Sequence, residues 1–227
     1  MRLETMDMPP RGKSTLAAPL CVAGLAVALD YLLASPLVGA GYGVRGVLAL
    51  CLAAAPLLSG RDEHVLPRWG RVRPSLLWLA RFLGILLPAA LLFTVLTILL
   101  CRAMGWKLNV FPLAIASLDS APAFVFHGLV AAPIVEEFIY RGVIHGRLRQ
   151  GMGPFLAVAL AGPIFWVLHW LDRGGVSPPN HLLAGWILAW AFERTGSLLT
   201  PTLLHALGNG ALLFLDLLWY RWPGLFE

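Results

Sequence analysis

Glu136, His169, His205 and Asn209 stand inside long apolar stretches of this 227-residue sequence, where a polar side chain lacks water to satisfy it. An ionisable group at mid-bilayer costs about 2.5 to 3.5 kcal/mol on insertion scales, so each needs a reason. Convergence on one another is the most economical one. A carboxylate and an imidazole holding one water between them can deprotonate it for attack on a carbonyl carbon. A second imidazole and an amide can steady the oxyanion that forms. Such chemistry suits peptide-bond hydrolysis.

The acidic segment reads Val-Ala-Ala-Pro-Ile-Val-Glu-Glu-Phe-Ile-Tyr-Arg-Gly from Val130. Glu137 and Arg141 are four residues apart with the acid nearer the N-terminus, the favourable order for an intrahelical ion pair. Glu136 is rotated by about 100° from Glu137 and has no sequence-local basic partner on its own face. Desolvation without such a partner disposes its carboxylate to take up a proton, as a general base must. His205 and Asn209, four apart, share one helix face.

Other nucleophiles are disfavoured. There is no GxSxG elbow, and Cys21, Cys51 and Cys101 stand singly, without a CxxC pair or an obvious local base. HExxH is absent, so a catalytic zinc is not favoured and no cofactor is expected; if a metal bound, Glu136, His169 and His205 would hold it.

The elements that must position these residues follow from composition. Hydrophobic residues make up 59% of the chain and charged residues 13%, which a soluble domain could not hide. The fold expected is all-α, a polytopic transmembrane bundle of about seven spans, six to eight by the roughly 20 residues a crossing needs. The spans run approximately over 16–34, 44–59, 76–101, 123–149, 153–171, 180–193 and 197–219. The first could be mistaken for a signal peptide, a reading disfavoured by the many spans after it. Pro88 and Pro133 should kink their spans, and Asn180 is a helix cap after two prolines.

The net charge of +5 is spread over short connections, so no nucleic-acid partner is expected. Arg2, Arg11 and Lys13 in the N-terminal tail, the arginines of 60–75, and Arg147, Arg149, Glu193 and Arg194 fall on one face, which the positive-inside bias makes cytoplasmic. Measured from turns near Gly153 and Gly196, Glu136 lies roughly 21 Å deep, His169 roughly 24 Å, Asn209 roughly 20 Å and His205 roughly 14 Å. One intramembrane cluster is geometrically feasible. His127 and His145 each stand nine positions from Glu136, half a turn round, and should face elsewhere. Asp30 and Asp216 are expected near helix ends, and Trp106, Trp219, Tyr220 and Trp222 as interfacial anchors.

Three ordered motifs carry a family resemblance. Glu136-Glu137-Phe-Ile-Tyr-Arg141 fits EExxxR, Phe165-Trp-Val-Leu-His169 fits FxxxH, and His205-Ala-Leu-Gly-Asn209 fits HxxxN, with Glu193-Arg-Thr-Gly-Ser197 and Pro201 before the last. Over roughly 123–215 the sequence resembles the CAAX prenyl protease and bacteriocin-processing (CPBP) family, the Abi-type intramembrane proteases. The resemblance implies that Glu136 activates water with His169, that His205 and Asn209 form the oxyanion site, and that Glu137, Arg141 and Phe165 support them. It implies a glutamate-activated water without metal, although the family is often labelled metalloprotease.

The organisation expected is thus N-terminal transmembrane helices over 1–122, a catalytic core of four helices over 123–219, and a short tail over 220–227. The expected location is a bacterial cytoplasmic membrane with the N-terminus cytoplasmic. The partners are the bilayer and a membrane-associated protein or peptide substrate. The competing reading is a non-catalytic membrane immunity protein or scaffold, and a narrower alternative is a protease of C-terminal sorting signals. A transporter would predict inverted repeats, which the sequence does not show.

Overall fold

Residues 69–70, 72–104, 118–172 and 180–222 are described by the computed structural model, and every regular element among them is helical. The expected spans 16–34 and 44–59 lie outside the described residues, as do Cys21, Cys51, Asp30 and Trp106 and the side chains of Cys101 and Trp219. Five helical rods follow: α1 (Val72–Ala103), α2 (Ala121–Met152), α3 (Pro154–Asp172), α4 (Asn180–Thr195) and α5 (Leu199–Arg221). They correspond to the last five expected spans, with ends moved by up to four residues.

Three segments, Val72–Ala89, Ala121–Met152 and Leu199–Leu218, are long and apolar enough to cross a membrane, and Pro154–Trp170 is a shorter apolar helix. Several leucine and isoleucine side chains of α1, among them Leu76, Leu87 and Leu92, point away from the bundle, Ile85 being 75% exposed. In lipid such a surface needs no protein partner.

α2 is not a uniform α-helix. It passes through π-helical turns at His127–Ala131 and Phe138–His145. Pro133 has no N–H and its ring crowds the carbonyl one turn back, and just before it the Ala132 N–H reaches the His127 carbonyl, five residues away. A widened turn therefore precedes Pro133, where a kink was expected. Pro88 lies inside α1.

Two glycines make the tight turns. Gly153 (φ 85°) reverses the chain between α2 and α3, and Gly196 (φ 59°) between α4 and α5. Both occupy the left-handed region that a Cβ disfavours. Around these turns Arg149 Nε reaches both carboxylate oxygens of Glu193 at 2.6 and 2.9 Å. Ser197 Oγ donates to the Trp69 carbonyl at 2.6 Å, and Ser75 Oγ to Ser197 Oγ at 2.9 Å. The start of α1 and both turns thus share one end of the bundle, the grouping expected from charge. α1 is seated by Trp78 and Phe82 packing on Trp190 of α4, above Leu79, Leu188, Ala191 and Leu204.

α3 and α4 approach closely at a pair of glycines. A Cβ on Gly185 would stand 2.8 Å from the Gly162 Cα and 3.1 Å from its carbonyl oxygen, both backbone atoms that cannot rotate aside. Small residues permit this contact, as is common between membrane helices. Gly185→Ala should therefore destabilise by about 1 to 3 kcal/mol, the usual cost of overpacking, read as a lower thermal midpoint in detergent. Gly84→Ala, where nothing lies within 4 Å, should be neutral or slightly stabilising. Equal midpoints for the two variants would contradict this packing.

Candidate active site

The crowded middle of the bundle is built on Arg141, which is buried with Glu137. Its Nη1 donates to Glu137 Oε1 at 3.0 Å, its Nη2 donates to the Gly185 carbonyl at 3.2 Å, and the guanidinium lies over Phe165, 4.7 Å from the ring centroid. The i,i+4 pair expected from sequence is present, and it is anchored at the Gly162–Gly185 crossing.

Glu137 does more than pair with Arg141. The same Oε1 accepts from His205 Nδ1 at 2.8 Å, joining α2 to α5. A carboxylate oxygen accepts, so Nδ1 carries a hydrogen and His205 presents its Nε2 towards Glu136 Oε2, 3.9 Å away. This contact spans 68 residues of sequence and lies beyond any local spacing rule.

His169 is fixed in the same way from its other side. Its Nδ1 is 2.8 Å from the Phe165 carbonyl oxygen, which can only accept, so this nitrogen also carries a hydrogen. Its Nε2 lies 3.6 Å from Glu136 Oε2. Both separations from Glu136 exceed direct hydrogen-bond length. His169 and His205, from two other helices, therefore converge on one carboxylate oxygen of Glu136.

Phe165 explains the spacing of its motif. It is 2% exposed and lies under the Arg141 guanidinium, 4.2 Å from the His169 ring and 6.0 Å from the His205 ring, with Tyr140 edge-on at 5.0 Å. One turn before His169, it supports the imidazole with its backbone and the cation with its face.

Asn209 is held a little apart. Its Nδ2 donates to the Gly128 carbonyl at 2.7 Å, in the first π-helical turn of α2. One amide hydrogen is used by that bond, and the side chain has a second. Among the described residues, no group of three or more His, Cys, Asp and Glu side chains is arranged to hold a metal ion.

The remaining polar residues fall mostly as expected. His145 is buried against Glu193, 2.9 Å from Nε2, and His127 is exposed beside Phe126. Trp222 is 52% exposed where α5 ends. Asp216 lies five residues before the end of α5 and is 3% exposed. Asn180 is the first residue of α4. One neighbour of the site escaped sequence reasoning altogether. His181 stacks on His169 with centroids 4.8 Å apart and planes 29° from parallel. The available signal was its place in the first turn of α4, opposite the end of α3 that carries His169.

Residues 117–211 match the family model described as type II CAAX prenyl endopeptidase, Rce1-like. No curated protein and no solved structure matches the chain. The matched stretch contains EExxxR, FxxxH and HxxxN, the motifs that bring Glu136, His169 and His205 together. The apolar helices and this family of proteases make the chain an integral membrane protein. Across residues 117–211, therefore, the chain is similar to the Rce1-like type II CAAX prenyl endopeptidases, a membrane protease family.

Proposed function

We propose that this protein is an intramembrane endopeptidase that hydrolyses a peptide bond in a membrane-associated substrate with a water activated by Glu136 and His169. The observation that carries this reading is the 3.6 Å approach of His169 Nε2 to Glu136 Oε2. With Nδ1 protonated, neutral His169 offers a lone pair at Nε2, so two acceptors face each other. Water joins such a pair by donating one hydrogen to each, and its oxygen lone pairs are left to attack.

Glu136 takes the water's proton as the new O–C bond forms, then delivers that proton to the departing amine nitrogen as the C–N bond breaks. The second hydrogen of the water leaves the new acid for the freed nitrogen, so the products are a carboxylate and an ammonium group. The tetrahedral oxyanion is met by His205 Nε2 and the second amide hydrogen of Asn209. Because Glu137 already takes the Nδ1 hydrogen of His205, Nε2 can donate only as the imidazolium, whose charge the Glu137 carboxylate supports. Glu137, Arg141 and Phe165 hold this geometry.

In this reading the catalytic core is the four helices of 123–219, within a bundle of seven spans whose first three lie in 1–122, followed by the tail 220–227. The end containing Gly153 and Gly196 faces the cytoplasm with the N-terminus, and the membrane is the bacterial inner membrane. No cofactor is used and no nucleic acid is bound. The substrate is a membrane-associated protein, and the narrower form of the proposal is a C-terminal sorting tail.

The test compares protein termini, by mass spectrometry of membrane and secreted fractions, between cells making the parent and cells making Glu136→Ala. Termini that vanish with Glu136 are expected. If none depends on Glu136 while the variant still supports the protein's cellular role, the chain acts as a non-catalytic immunity protein or scaffold. Cleavage should also survive 1,10-phenanthroline, and inhibition reversed by added zinc would contradict the metal-free route.

A further inference from the structure

We propose that His181 is a positioning residue for His169, its ring bracing the imidazole in the plane and tautomer that water activation needs. This inference rests on the functional reading above. His169 lies three residues before the end of α3, in the last turn, where intrahelical hydrogen bonds run out. Its nearest ring, Phe165, belongs to the same helix and moves with it. Tyr140 on α2 is farther, at 6.4 Å. His181 comes from α4, near-parallel to His169 at 4.8 Å, and ties its ring to a different helix. The contact is face to face, so it depends on a flat ring and not on a particular nitrogen. Loss of the brace frees His169 to leave the Phe165 carbonyl, exchange tautomers and turn Nε2 away from Glu136.

The experiment uses the full-length protein as parent, Glu136→Gln, His181→Ala and His181→Phe. His181→Leu replaces His181→Ala if the latter does not fold by thermal unfolding. Two readouts are taken. One is the rate at which Glu136-dependent termini appear in cells. The other is the 15N spectrum of histidine-labelled protein in lipid vesicles, with His169 assigned by its loss in His169→Gln. His181→Ala should cleave about ten- to a hundredfold more slowly, the scale of a lost aromatic contact and a misplaced base, and should show mixed His169 tautomers. His181→Phe should keep the Nδ1–H tautomer and cleave within about threefold of the parent, because it preserves the stacked face. Parent-like cleavage or an unchanged His169 tautomer in His181→Ala overturns the inference. So does a His181→Phe variant as impaired as His181→Ala, which would assign His181 a role through its nitrogens. A parent without Glu136-dependent termini defeats the protease reading instead, and the tautomer spectra then decide the bracing alone.

Discussion

Glu136→Gln is expected to leave the protein folded and inserted while cleavage falls by about a thousandfold or more, within the ~10²–10⁴ that a general base contributes together with the geometry it organises. The amide matches the carboxylate in size but cannot take the proton of water. Glu136 is 6% exposed, so removing its charge also removes a desolvation cost. The thermal midpoint should therefore hold or rise as activity vanishes. A purely structural glutamate would give the opposite, with activity retained in whatever fraction stays folded. His169→Ala should lose cleavage on the same scale, since it removes the second acceptor at 3.6 Å from Glu136.

Arg141→Ala should fail by another route. Arg141 and Glu137 are 1% and 0% exposed, and removing the guanidinium leaves the buried carboxylate with its His205 bond but without its cation, and takes a donor from the Gly185 carbonyl. Breaking a buried pair costs about 3 to 5 kcal/mol, a large part of the ~5 to 15 kcal/mol that holds a typical domain together. Low yield in the membrane and a collapsed thermal midpoint are expected. Replacing both partners by neutral groups is often tolerated, so Glu137→Gln with Arg141→Met should recover much of the midpoint. It should not recover cleavage, because His205 then lacks the carboxylate that supports its imidazolium at 2.8 Å. Cleavage restored along with stability would show that Glu137 serves only Arg141.

These two residues also mark how far the sequence could be read. Helical spacing was enough to pair Glu137 with Arg141, and the glycine turns at 153 and 196 were enough to bring His169 to the depth of Glu136, but they left His205 shallower, although its Nε2 lies 3.9 Å from Glu136 Oε2. Such features depend on residue spacing and on where the chain can reverse. The His205–Glu137 bond, the Asn209 bond to the Gly128 carbonyl and the His181–His169 stack depend instead on how helices rotate against one another. Those rotations are set by the π-helical turns of α2 and the Gly162–Gly185 crossing, neither of which has a periodic signature. Asp216 shows the same limit: its place near a helix end was legible, but its burial was not. All-helical architecture was plain from composition, because an alternative that leaves backbone groups unpaired in lipid is too costly.

In the proposed reaction Glu136 turns water into the nucleophile. The most direct test is to reconstitute the purified full-length protein in vesicles with the peptide that the Glu136-dependent termini define, in 18O-labelled water, and to weigh the products of the parent and of Glu136→Gln. Two products are expected from the parent, with one 18O in the new carboxylate, and intact peptide from the variant. Cleavage by Glu136→Gln within tenfold of the parent would contradict it.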